Sequence, residues 1–306
     1  MVTGRAAFRT ERRAVLTAAG LMVAALPLRG IAAAAAAAPA QRLAAIDWAM
    51  LETAIAIGHM PVAASELLRF RADAVTPAVP RDVTDLGLRG SPNFELLQLS
   101  RPDLILTSPF YTRYEDKLRR IAPVLSLTFY RPGDPPLPRA LAALDDLARA
   151  IGDPGAGWRA RTRAEAALDG VATGLAAFRD RPVALIEIGD ARHVRAFGPD
   201  SLFGSTLTRL GLENAWSGKT RFSFLAPVPM ERLAAMPEAR LVIVGNVPVE
   251  ARRDLSRSVL WQALPPVREN RLYRLERVNA FGGAPAALRF AELLAAAFQT
   301  GPRRAT

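Results

Sequence analysis

The chain has 306 residues, with 40 Lys+Arg against 29 Asp+Glu for a formal charge of +11, 50% hydrophobic residues, 24 prolines and no cysteine. This is globular composition, long enough for two lobes and a large core, and the missing cysteines exclude disulfides, Cys-ligated zinc or iron–sulfur sites, a thiol nucleophile and a cysteine-linked lipid anchor. Lys117 and Lys219 are the only lysines in a chain rich in arginine and alanine, so the charge reads as coding bias more than as a functional signal.

Residues 1–40 carry Arg5, Arg9, Arg12, Arg13 and Arg29 with Glu11, then an apolar run from Ala14 to Leu28 and an alanine-rich stretch ending Ala38-Pro39-Ala40. Basic, apolar and small-residue regions in that order predict a secretory signal, with cleavage expected between residues 34 and 40. The pair Arg12-Arg13 before Ala14-Val15-Leu16 fits a twin-arginine signal, for a chain that folds before export; an ordinary Sec signal is the alternative. The apolar run falls short of the ~20 residues of a spanning helix, so no membrane span is expected. Without the forty residues the charge is about +7 and has no Lys/Arg runs, which argues against nucleic acid as partner.

From Arg42 onward, short apolar runs alternate with helical patterns, predicting an α/β fold. Strands are expected at Leu43–Ile46, Leu104–Leu106, Val124–Thr128, Val183–Ile188 and Leu241–Val244. Between the halves, Leu137, Leu141, Leu144, Ala148 and Ile151 recur at helical spacing, and Asp153-Pro154-Gly155 interrupts. Ala164, Leu168, Val171, Leu175 and Phe178 then form one strip of a second, longer helix. A helix of about 24 residues spans roughly 36 Å, enough to cross between lobes. The expected organisation is an N-terminal α/β lobe at 41–136, a helical connector at 137–180 and a C-terminal α/β lobe at 181–306. There is also an internal echo: Asn93-Phe94-Glu95-Leu96-Leu97 leads through Pro102 to Asp103-Leu104-Ile105-Leu106, and Pro229-Met230-Glu231-Arg232-Leu233 leads through Pro237 to Arg240-Leu241-Val242-Ile243-Val244.

No catalytic constellation is visible: there is no G-x-S-x-G elbow, Walker loop or H-E-x-x-H. The two histidines, His59 and His193, are too few for a metal cluster and read as structural. Gly198-Pro199-Asp200-Ser201 reads as a turn and helix N-cap and not as a nucleophile. The expectation is a protein that is not an enzyme.

Several segments together carry a family resemblance. Arg42-Leu43-Ala44-Ala45-Ile46-Asp47-Trp48, then Asp85-Leu86-Gly87-Leu88-Arg89 leading to Pro92-Asn93-Phe94-Glu95-Leu96-Leu97, cover the first half. Phe197-Gly198-Pro199-Asp200-Ser201-Leu202-Phe203, Asn214-Ala215-Trp216 and Leu260-Trp261-Gln262-Ala263-Leu264-Pro265 cover the second. In order and spacing the chain resembles the periplasmic ferric-hydroxamate (ferrichrome-type) siderophore-binding proteins. The resemblance implies two α/β lobes joined by one long connecting helix, with a ligand cleft between them, in a periplasmic monomer that feeds an inner-membrane ABC permease. It implies no cofactor, since iron enters as part of the Fe(III)-siderophore ligand.

Carried over residue by residue, the family's arginine and tyrosine contacts to hydroxamate oxygens fall on Arg89 and Tyr111. Electron-rich Fe(III)-bound oxygens suit a guanidinium fork and a phenol. Trp48 would offer an aromatic wall. The second-lobe aromatic positions fall on Ser223, beside Phe224, and on Asn279 and Phe281. An apolar wall position falls on Arg195 and a first-lobe tryptophan position on Asp73. This more polar pocket points to a citrate-based hydroxamate or a linear trihydroxamate, with Arg195 suited to an added carboxylate. Glu95 and Glu231 correspond to the glutamates that dock on permease arginines in related proteins. The rival readings are the same scaffold binding haem, cobalamin or a catecholate chelate, and an exported siderophore-processing enzyme.

Overall fold

In the computed structural model, residues 41–218 and 226–303 are described. The signal proposed for residues 1–40, and the ligand positions Ser223 and Phe224, lie outside them. The first sheet contains β1 (Leu43–Ala45), β2 (Ala63–Ala64), β3 (Thr84–Asp85), β4 (Leu104–Thr107) and β5 (Val124–Ser126), all parallel, in the order β3-β2-β1-β4-β5. The second contains β6 (Val183–Ile188), β7 (His193–Ala196), β8 (Ala226–Pro229), β9 (Arg240–Val244) and β10 (Leu272–Leu275) in the order β10-β9-β6-β7-β8. Here β6, β9 and β10 are parallel, while β7 runs antiparallel to both its neighbours, β6 and β8.

The five strands expected from sequence are all present, though β5 ends at Ser126. The other five were not foreseen, for physical reasons. Two residues of β2 and two of β3 are too short for any period to show, and β8 carries Pro227 and Pro229, which sheets tolerate only at an edge or strand end.

Alternating strand residues feed different layers, as a pleated strand requires. Leu43 and Ala45 of β1, with Val183 and Leu185 of β6 and Val242 and Val244 of β9, face one continuous core. Ala44 and Ile46 belong to an outer cluster of the first sheet, and Ala184, Ile186, Leu241 and Ile243 to one of the second. The shared core is filled by α1 (Trp48–Ala56), α5 (Pro136–Ala150), α6 (Pro154–Gly174), α7 (Leu202–Arg209) and α11 (Ala284–Thr300). The remaining helices are α2 (Leu67–Asp73), α3 (Phe94–Leu99), α4 (Glu115–Arg119), α8 (Val249–Arg257), α9 (Val259–Ala263) and α10 (Pro265–Arg268). Both sheets belong to one compact unit, Ala40–Thr306.

The segment between the sheets holds α5 and α6. Asp153 caps α6, accepting the Ala156 N–H at 3.1 Å, with Pro154 at the first helical position, where a missing N–H costs nothing. Gly157 lets the two helices approach: a β-carbon there would sit 2.7 Å from Ala148 Cβ and 2.8 Å from the Leu144 carbonyl. α6 runs for 21 residues, shorter than the expected 24, because Leu175 ends it and a 3-10 turn, Ala176–Phe178, follows. Ser201 caps α7 by accepting the Gly204 N–H at 2.9 Å, so the Gly198-Pro199-Asp200-Ser201 segment is the expected turn and cap.

Candidate ligand-binding cleft

The site residues of the first sheet stand at the carboxyl ends of its parallel strands, where open α/β sheets place ligand contacts. Asp47 and Trp48 follow β1, Ser65 and Glu66 follow β2, Arg89 follows β3, and Ser108 and Tyr111 follow β4. β1 and β4 flank the point where strand order reverses, and Ser108 donates its hydroxyl to Asp47 across it at 2.7 Å. Asp47 also caps α1, accepting from the N–H groups of Ala49 at 2.7 Å and Met50 at 3.2 Å. Burial pushes its carboxyl above the ordinary value, opposed by the Ser108 bond, the two backbone N–H groups and nearby Arg89.

Arg89 is the centre of this cluster. Its Nε donates to Glu66 at 2.9 Å, and its backbone N–H donates to the same carboxylate at 3.3 Å. The guanidinium lies 3.8 Å above the centroid of the Trp48 ring. Trp48 is itself fixed by donating Nε1–H to the Ser65 carbonyl at 3.0 Å and by an edge contact with Phe70. Tyr111 lines the smaller of the cleft's two chambers together with Arg89, and its phenol pKa is pushed up to about 12, chiefly by burial and also by the Asp47 charge. The phenol is therefore a protonated donor at neutral pH.

Two chambers meet at Arg89 and Phe281. One, of about 400 Å³, is lined by Asp47, Ser108, Pro109, Phe110, Tyr111, Phe129 and Tyr130. The other, of about 610 Å³, is lined by Trp48, Arg69, Asp73, Glu187, Arg195, Phe197, Arg277 and Asn279, among others. Arg89, Tyr111, Trp48, Arg195, Asn279 and Phe281 thus all face this two-chambered cleft. Their roles differ in detail. Trp48 is 4% exposed and has the Arg89 guanidinium over its ring, so it is a floor beneath Arg89 before it is a wall for a ligand. Arg195 is engaged by Glu187 at 3.3 Å. Asn279 is buried, and its amide donates to Glu52 at 2.8 Å while its Oδ1 accepts the Phe281 N–H at 3.1 Å.

Glu52, which gave no sequence signal, holds the far side of the cleft. Its carboxylate takes the Asn279 amide, the Gly283 N–H at 2.7 Å and the Ala286 N–H at 3.3 Å, tying α1 to the start of α11. Gly282 beside it has no room for a β-carbon, which would collide with the carboxylate. Burial raises the Glu52 pKa to about 8 against these donors. The Tyr130 phenol donates to the Gly282 carbonyl at 2.7 Å and packs on Phe281, fixing the same loop.

The histidines stand apart from the cleft lining: His59 pairs with Asp153 at 3.1 Å and His193 with Asp190 at 3.1 Å. Among the described residues no group of three or more His, Cys, Asp or Glu is placed to hold a metal ion, and no helix is long and apolar enough to cross a membrane.

Two α/β lobes presenting strand ends to a shared cleft define a substrate-binding protein. The chain belongs to the periplasmic binding protein family, whose profile matches residues 43–278. It is 31% identical over 260 residues, 85% of this chain and 88% of its relative, to the iron(3+)-hydroxamate-binding protein FhuD of Escherichia coli K12. In fold it is similar to the Fe3+-Desferal-bound siderophore-binding protein FhuD from Vibrio cholerae, with a TM-score of 0.79, 24% identity, and coverage of 86% of this chain and 100% of that one. Staphylococcus aureus SirA has the same fold, with a TM-score of 0.65, 18% identity, and coverage of 85% and 99%.

Proposed function

We propose that the protein captures a ferric hydroxamate siderophore in the periplasm and delivers it to an inner-membrane ABC permease. The observation that carries this reading is that Arg89, at the junction of the two chambers, shares the lining of the smaller one with Tyr111. A guanidinium anchored by Glu66 and stacked on Trp48 is a pre-oriented donor for the iron-bound hydroxamate oxygens, and the protonated phenol beside it adds a second. The 31% identity to a hydroxamate-binding protein supports the same ligand class.

The chemistry is recognition without turnover: iron arrives chelated, and the pocket supplies shape and donors. The exported signal at residues 1–40, the lobes at 41–136 and 181–306 with their connector, the monomeric state, and docking through Glu95 and Glu231 belong to this reading. Both glutamates are exposed in the first turn of a helical segment.

The test is a tryptophan-fluorescence titration against ferric hydroxamates, with cobalamin and a ferric catecholate as controls. Saturable quenching at micromolar or lower concentration by a hydroxamate, weakened in Arg89→Ala, is the expected result. A response to the controls alone would keep the scaffold and discard the ligand class.

A further inference from the structure

The larger chamber is lined by four guanidiniums, those of Arg69, Arg89, Arg195 and Arg277, against two carboxylates, Asp73 and Glu187. Their pairing is uneven. Arg89 is matched by Glu66 behind the wall and Arg195 by Glu187. Asp73 alone serves two cations: Arg69 Nε reaches its Oδ2 at 3.1 Å from the same helix, α2, and Arg277 Nη1 reaches its Oδ1 from the segment after β10. One positive charge is left over at this end of the chamber. The two arginine side chains are 67% and 46% exposed, whereas Asp73 is 27% exposed, so guanidinium donors face the cleft while the shared carboxylate is partly covered.

We infer that Arg69 and Arg277, held by Asp73, form a second subsite that takes an anionic arm of the ferric chelate, a carboxylate by preference. This rests on the ferric-hydroxamate reading given above and deepens it. Each guanidinium keeps several N–H donors beyond the one Asp73 accepts, and a carboxylate matches that fork geometry. Arg69 comes from the first half of the chain and Arg277 from the second, so a bound carboxylate would bridge the two walls of the cleft. Arg89 lines the same chamber, which lets one chelate present its iron-bound oxygens to Arg89 and its charged arm to the subsite. The inference moves the expected carboxylate contact from Arg195, whose charge Glu187 answers, to the pair whose charge is in surplus.

The test uses two ferric probes that differ only in that arm, N-acetyl ferrioxamine B, which is neutral, and N-succinyl ferrioxamine B, which carries one carboxylate. With the mature protein at low ionic strength, the succinyl probe should bind about 5- to 10-fold more tightly, the scale of one partly exposed charge-assisted contact, and 0.5 M salt should shrink that preference. R69Q/R277Q should abolish the preference, so that the two probes bind that variant with the same Kd. R277Q alone, which leaves Arg69 paired with Asp73 and removes the surplus charge, should lose most of the preference and decides the matter independently should the double variant fold poorly. Equal affinity of the wild-type protein for both probes, or a preference that survives in R69Q/R277Q, would overturn the subsite while sparing the ligand class. Binding of neither probe would remove the ferric-hydroxamate reading itself, and the subsite with it.

Discussion

Arg89 answers to a carboxylate and an aromatic face at once, and each contact limits what can replace it. Arg89→Ala should weaken ferric hydroxamate binding about 10- to 100-fold, the worth of a charge-assisted hydrogen bond of ~1.5–3 kcal/mol, and Arg89→Lys should recover little, because an ammonium cannot hold Glu66 and stack on Trp48 together. Tyr111→Phe should cost less, about 3- to 10-fold for one hydrogen bond. Since the phenol titrates only near pH 12, Tyr111 should contribute no pH dependence to binding between pH 6 and 9. Titrations of the three variants at several pH values check these expectations together.

At the scale of elements, the start of α11 depends on a residue more than two hundred positions away. Glu52 accepts from Asn279, Gly283 and Ala286, and its pKa is raised to about 8 by burial. Because the folded-state pKa lies above the unfolded value, the native state holds the extra proton between about pH 4.5 and 8. Stability from this group is therefore complete below about pH 4.5 and falls as pH rises from there to about 8, by up to ~1.4 kcal/mol per pH unit. Glu52→Gln keeps a carbonyl acceptor and should flatten that fall, which denaturant melts from pH 5 to 8 would show. A pH profile identical to the wild type would remove the assignment. The α5–α6 pair offers a sharper structural test: Gly157→Val must push against Ala148 and the Leu144 carbonyl and should cost about 1–3 kcal/mol.

The same elements show what sequence carries. β1, β4, β6 and β9 were legible as continuous apolar runs, and the caps Asp47, Asp153 and Ser201 sit where turn chemistry places them. Arg89 and Tyr111 were legible through resemblance in short local segments. Glu66 under Arg89, Glu52 against Asn279 and Asp73 against Arg277 were not, being pairings of residues 23, 227 and 204 positions apart. No periodicity encodes such pairings. The very short β2 and β3 escaped for the complementary reason that two residues have no period.

At the scale of the whole molecule, the internal echo in the sequence becomes a repeat in topology. Outward from β1 the first sheet places β2 then β3 on one side and β4 then β5 on the other; from β6 the second places β7 then β8, and β9 then β10. The order is the same, although β7 reverses direction and β8 returns to that of β6. Glu95 stands in the first turn of the helix leading into β4, and Glu231 in the first turn of the 3-10 helix Met230–Ala235 leading into β9. They therefore occupy equivalent places in the two repeats, both exposed, as a surface that meets a two-fold symmetric permease would need. Rim charges steer encounter and orientation more than they hold ligand. Glu95→Lys and Glu231→Lys together should accordingly abolish iron uptake in cells while leaving the ferric hydroxamate Kd of the purified protein unchanged, and each alone should reduce uptake in part. Uptake that persists in the double reversal would take both glutamates out of the docking surface and leave the repeat a feature of folding alone. Loss of ligand binding in the same variant would show that the two ends of the strands communicate, which the separate side-chain networks of the cleft and of these helix turns give no reason to expect.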